Sequence, residues 1–216
     1  MDSFNEHIFT NQRGISLFLK REDLVHATIP GNKFRKLKYN LIQAKSLNKS
    51  TLLTFGGAYS NHIAAVAQAG KEFSFDTIGI IRGEEIRDVA LQNPTLVKAM
   101  ANGMRLEFIN RQTYRSKSDP AFIKSLESRF GDFYLLPEGG TNALAIQGCE
   151  EILSGDDFGF DYICCAVGTG GTLAGISNSA DPSQQVLGFP ALKGEFLNDE
   201  IRNLTASQNW TLITGY

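Results

Sequence analysis

Asp161-Tyr162-Ile163-Cys164-Cys165-Ala166-Val167-Gly168-Thr169-Gly170-Gly171-Thr172 reads as a strand that runs straight into a glycine turn. The apolar run from Asp161 to Val167 has the length of a buried strand, and the glycines and threonines after it open a short helix. The same arrangement occurs upstream, where Thr51 to Phe55 is a short apolar strand. Gly56-Gly57-Ala58-Tyr59-Ser60-Asn61-His62 then leads into an Ala-rich helix from Asn61 to Lys71. Working outward, further strands fall at Ile15 to Lys20, Asp76 to Ile81, Met104 to Ile109, Phe133 to Leu136, Val186 to Phe189 and Trp210 to Ile213. Helices fall at Lys33 to Leu47, Pro94 to Asn102, Asp119 to Phe130, Asn142 to Leu153 and Glu195 to Leu204. Strands separated by helices of this length need parallel sheets with helical crossovers, so the fold class is α/β. Leu37, Leu41, Ile42 and Ala44 are expected on the apolar face of the first long helix.

The chain of 216 residues is 42% hydrophobic and 20% charged, the composition of a folded globular protein. A formal net charge of -2 gives no electrostatic reason to expect nucleic acid or an anionic membrane as partner. The start, Met1-Asp2-Ser3-Phe4-Asn5-Glu6, has neither a basic nor an apolar signal region, and no apolar run approaches the ~20 residues that span a bilayer. Cys149, Cys164 and Cys165 lack metal-ligand spacing; no metal is expected, and Cys164 and Cys165 are read as buried small hydrophobes. A cytoplasmic setting fits this cysteine usage.

Three loops carry candidate chemistry. In Pro30-Gly31-Asn32-Lys33-Phe34-Arg35-Lys36-Leu37, Lys33 falls at a helix start, where the macrodipole disfavours a cation and so favours a reactive free amine. Its plainer reading is a solvated lysine in a basic stretch. Ser60-Asn61-His62 opens a helix after a strand, where backbone N–H groups suit a carboxylate or phosphate; the plainer reading is an ordinary N-cap. Gly168-Thr169-Gly170-Gly171-Thr172 lacks both the G-x-G-x-x-G spacing and the Lys-Ser/Thr ending of nucleotide loops. Backbone amides and threonine hydroxyls there suit a single phosphate monoester.

Taken in order with Leu19-Lys20-Arg21-Glu22-Asp23 and Pro137-Glu138-Gly139-Gly140-Thr141-Asn142, these segments resemble the pyridoxal 5'-phosphate (PLP) family of fold type II, the tryptophan-synthase-β-like fold. The branch they are most similar to holds the 1-aminocyclopropane-1-carboxylate (ACC) deaminases and D-cysteine desulfhydrases. The resemblance implies two parallel-sheet α/β domains with the cofactor in the interdomain cleft. Residues 1–36 and 143–216 would form the larger cofactor domain and residues 37–142 the smaller inserted one. Lys33 would carry PLP as a Schiff base, and Gly168, Thr169, Gly170, Gly171 and Thr172 would cradle its phosphate. Asn61 would bind the cofactor's ring hydroxyl, Ser60 would stand near the reacting carbon as a catalytic group, and Ser60, Asn61 and His62 would receive the substrate carboxylate.

The implied activity is a carbon–nitrogen or carbon–sulfur lyase acting on a small amino acid, ACC or D-cysteine, as a homodimer. A β-replacement enzyme of the cysteine-synthase type and a catalytically silent PLP-binding homologue are the alternatives. Members of the family continue past the point where this sequence stops, so the group facing the pyridine nitrogen is expected to lie in a part that is absent. An exposed apolar sheet surface and an unpaired edge are expected with it.

Overall fold

The computed structural model describes residues 3–29, 31–191 and 196–215. Pro30, Glu195 (the first residue of a predicted helix) and Tyr216 lie outside the described residues. The chain divides into two compact units, Met1–Lys36 with Ala143–Tyr216, and Leu37–Asn142. Among the described residues no helix is long and apolar enough to cross a membrane.

The first unit opens with an antiparallel hairpin, β1 (Asn5–Thr10) and β2 (Ser16–Lys20). The hairpin is tied to the body of its unit by the buried Asp157, whose carboxylate accepts from Lys20 Nζ at 2.7 Å and Asn5 Nδ2 at 2.9 Å. Three parallel strands follow in the order β7 (Tyr162–Val167), β8 (Gln185–Pro190), β9 (Trp210–Leu212). The helices of this unit are α6 (Ala143–Glu150), α7 (Gly171–Ser179) and α8 (Phe196–Leu204). Cys149, Ile152, Val167, Leu173, Ile176, Val186, Leu197 and Ile201 form its core.

The second unit holds a four-stranded parallel sheet in the order β5 (Arg105–Ile109), β4 (Asp76–Arg82), β3 (Thr51–Gly56), β6 (Tyr134–Leu136). Helices α2 (Asn61–Phe73), α3 (Pro94–Ala101), α4 (Arg111–Arg115) and α5 (Pro120–Phe130) link these strands. The strand order reverses at β3, which pairs with β4 on one side and β6 on the other. Such a reversal opens a crevice at the carboxyl ends of the two diverging strands, where open α/β sheets take ligands. The chain crosses from the first unit to the second within α1 (Asn32–Ser46).

Two readings of side-chain position need correction. Ile42 is 57% exposed, and the buried stripe of α1 is Lys36, Leu37, Asn40, Leu41 and Ala44. At 3.6 residues per turn, position 42 turns away from a stripe centred on 37, 41 and 44, and the polar Asn40 takes a place on it. Cys164 is exposed and Cys165 only partly buried. An apolar run suggests cover on both faces, but β7 is covered on one: Ile163, Cys165 and Val167 pack against the core, while Tyr162, Cys164 and Ala166 face outward. The sequence reading also has no counterpart for β1 or for the short helix α4. The mixed polarity of Asn5 to Thr10 carries neither strand nor helix period.

Candidate active site

Lys33 is the second residue of α1, and its neighbours on the helix are what make it unusual. Asn32, Lys33 and Lys36 share the wall of a cavity of about 50 Å³ with Ala166 to Gly170, Thr172 and Leu173. That volume is several times the roughly 10–15 Å³ that admits one water. The first unit therefore brings the predicted amine and the predicted anion-binding loop to one place. Burial lowers the Lys33 pKa, since removing an ammonium from water favours its neutral form.

Lys36 has the larger shift. It is only 2% exposed, and burial pushes its pKa down to about 7, the Lys33 charge acting in the same direction. Its Nζ approaches Thr169 Oγ1 at 3.5 Å. The basic run of Lys33, Arg35, Lys36 and Lys38 hid this residue. Its signal was the spacing of three from Lys33, which puts both amines on one side of the helix, beside the buried Leu37.

The loop after β7 meets the cavity through its backbone. Gly170 sits at φ +79°, and a β-carbon on it would lie 2.7 Å from Ile201 Cγ1, so this position needs glycine on two counts. Gly170 is also the N-cap of α7, and it brings no side chain to satisfy the helix's first N–H groups. Those N–H groups, with the hydroxyls of Thr169 and Thr172, form a donor-rich surface suited to an anion. The Lys36 ammonium and the hydroxyl and amide donors around one recess fit a phosphate ester, and the Lys33 amine fits a carbonyl partner attached to it.

In the second unit, Ser60 caps α2, its Oγ accepting from Ile63 N at 3.3 Å. Asn61, the first residue of the helix, is exposed. His62 turns inward. It is 2% exposed and shares a 2.9 Å hydrogen bond between Nε2 and Thr54 Oγ1. The Thr54 hydroxyl donates its one proton to Leu136 O at 2.9 Å, so Nε2 must carry the hydrogen of the first bond. Gly140, at φ +70°, closes over this ring; a β-carbon there would lie 2.7 Å from Cε1. The imidazole thus ties α2, β3 and the turn after β6 together at the strand-order reversal. The His62 ring is thus engaged inside the second unit, and the groups at the start of α2 are its first N–H groups, Ser60 and Asn61. Among the described residues no cluster of three His, Cys, Asp or Glu side chains could hold a metal.

No family model matches the chain. It is 32% identical over 180 residues to the bifunctional D-cysteine desulfhydrase/1-aminocyclopropane-1-carboxylate deaminase of Arabidopsis thaliana, an alignment covering 76% of this chain and 45% of the relative. It is 33% identical over 173 residues to a putative 1-aminocyclopropane-1-carboxylate deaminase of Thermotoga maritima, covering 76% and 54%. The chain spans about half the length of the curated relatives it matches. A crystal structure of an ACC deaminase homologue superposes with a TM-score of 0.81 at 23% identity, over 98% of this chain and 71% of the other. Sequence and fold agree: over three quarters of its length the chain is similar to ACC deaminases and D-cysteine desulfhydrases, and it has the fold of the ACC deaminase homologue, the fold-type-II, tryptophan-synthase-β-like architecture.

Proposed function

We propose that this protein is a PLP-dependent lyase or deaminase acting on a small amino acid of the ACC or D-cysteine type. The observation that carries the reading is the shared cavity: the Lys33 amine, the buried Lys36 and the Gly168–Thr172 loop line one recess. In this reading residues 1–36 and 143–216 form the cofactor-holding part and residues 37–142 the inserted part. When bound, PLP supplies an electron sink that weakens bonds at the substrate's α-carbon.

The protein's own residues then have distinct tasks. The α7 N–H groups and the Thr169 and Thr172 hydroxyls hold the phosphate by donation alone. Lys36 supplies a full positive charge, because a dianion beside it restores the proton that burial disfavours. Lys33, its pKa lowered by burial, would hold the cofactor through its uncharged amine and, when free of it, would take and return a proton at the reacting carbon. Ser60, Asn61 and the first N–H groups of α2 receive the carboxylate of the amino acid. The free state of all three cysteines supports a reducing, cytoplasmic setting, and we take the working form to be a homodimer.

The test is a PLP titration of the purified chain, followed by borohydride reduction and peptide mapping. A visible band that reduction fixes onto Lys33 is expected, with 2-oxobutyrate and ammonia formed from ACC, or pyruvate and sulfide from D-cysteine. Label scattered over surface lysines, with no product from either substrate, would sink the reading.

A further inference from the structure

Asn32 belongs to none of the roles above, yet its side chain is fixed on the anion loop. Its Nδ2 donates to Thr172 Oγ1 at 2.8 Å, joining residues 140 positions apart beside the cavity. The fully buried Cys149 thiol also lies beside that hydroxyl; its burial favours the protonated form, which competes for the Thr172 proton far less than a thiolate would. A hydroxyl has one proton and two lone pairs. An amide N–H can only donate, so Asn32 engages a lone pair of Thr172 Oγ1 and leaves its proton free. That proton is then available toward the recess, whose wall Thr172 shares.

We infer that Asn32 is a positioning residue that fixes the Thr172 hydroxyl as a donor to the bound phosphate. The inference rests on the reading of this cavity as the cofactor's phosphate site. Its physical content is orientation: without Asn32 the hydroxyl rotor is free to turn its proton elsewhere, and part of a charge-assisted hydrogen bond is lost. Asn32 touches neither the phosphate nor the reacting atoms in this account. Its effect must therefore vanish when Thr172 has no hydroxyl to orient.

A double-mutant cycle on the full chain tests this, using Asn32→Ala, Thr172→Val and the pair, with Thr172→Ser as the conservative control. Affinity for PLP is read by absorbance titration, affinity for inorganic phosphate by its thermal protection, and affinity for pyridoxal, which lacks the phosphate, as the comparison. Expected losses for PLP and phosphate are about fivefold in N32A and about tenfold to a hundredfold in T172V, the range of hydrogen bonds to neutral and charged groups. The double variant should match T172V within about twofold, T172S should stay near wild type, and pyridoxal should bind all four alike. Losses that multiply in the double variant, or an equal loss for pyridoxal, would overturn the inference. Should N32A fail to fold, Asn32→Ser, too short to reach Thr172, takes its place in the cycle. Wild-type protein that binds neither phosphate nor PLP overturns both this inference and the cofactor reading. Binding of phosphate without a Lys33-linked chromophore overturns the cofactor reading alone, and the cycle in phosphate still decides the role of Asn32.

Discussion

The turn after β3 and the turn after β7 are built to one plan, strand, glycines, helix, and end in opposite electrostatic states. At α2 the protein satisfies its own helix start: Ser60 caps it, and His62 is anchored to Thr54 beneath it. At α7 the cap is a glycine in the left-handed region, and the first N–H groups face a recess lined by two lysines. The first turn is a strut that presents a few groups at its rim. The second is a socket whose donors line a recess. The sequence signature of an anion site is shared by both, and what separates them is whether a side chain occupies the helix start.

Substituting a glycine in each turn should break the symmetry most visibly. Gly170→Ala places a β-carbon against Ile201 and forces a left-handed backbone, together about 2–5 kcal/mol of destabilisation from strain and overpacking. Gly57→Ala meets only Arg82 Nη2, at 3.8 Å, and should change stability by less than about 0.5 kcal/mol. Urea denaturation of both variants makes the comparison. Equal losses would mean that the two turns are equally constrained and that the contrast is false.

A second test exploits the buried cations of the socket. An unfolded chain keeps Lys36 protonated up to its ordinary 10.5, whereas the folded protein releases that proton at about 7. Between those values the unfolded state holds the extra proton, so stability should rise with pH, by about 2 kcal/mol from pH 7 to 9 for one such group. Lys33, lowered in the same direction, adds to the trend. Above pH 9 the raised pKa values of Cys149 and Cys165 oppose it, because the unfolded thiols lose protons first. Lys36→Met should flatten the slope between pH 7 and 9. Phosphate should flatten it too, since an anion in the socket keeps Lys36 charged, and its own affinity should fall as pH rises through that window. A slope unchanged by K36M would show that the charge is not buried in the folded state.

Much of this was legible before any coordinates. Strand and helix order followed from apolar runs and glycine punctuation, because these elements alternate regularly and their start signals, Asp119 as N-cap and Pro94 as first helical residue among them, are locally encoded. Lys33 and the loop at Gly168 stood out for the same reason. Lys36 did not, because burial of a lysine is decided by what packs around it, and four basic residues in six positions read as a solvated face. The inward turn of His62 was likewise invisible, since its partners Thr54 and Leu136 come from two strands that meet only in the sheet. Cys164 and Asn32 teach the same lesson from the other side: which face of a strand is covered, and which loop an amide reaches, are properties of packing.

The strut itself is tested by Thr54→Val, which keeps the shape of a fully buried side chain and removes its hydroxyl. The His62 Nε2 hydrogen and the Leu136 carbonyl both lose that partner, at a cost of about 1–3 kcal/mol for buried polar groups left unsatisfied. The loss should appear in protection of the β3 and β6 amides from hydrogen exchange, while phosphate affinity at the α7 socket stays unchanged. Weakened phosphate binding in T54V would mean that the two turns are energetically joined, against the division drawn above.

The smallest effect is expected at the cap. Ser60→Ala removes one acceptor for the Ile63 N–H, at about 1 kcal/mol, typical of N-cap loss. The exposed start of α2 lets water replace part of that bond, so the value should lie toward the lower end of the range. Ser60 is also proposed to meet the substrate, which gives the variant a second readout. If the hydroxyl is only a cap, S60A and Ser60→Gly should lower stability slightly and leave turnover of ACC or D-cysteine alone, with S60G the milder change because glycine is itself a fair cap. If it also acts on the substrate, both variants should lose activity far beyond their loss of stability. Ser60→Thr, which keeps the hydroxyl, should then recover more of that activity than S60G does.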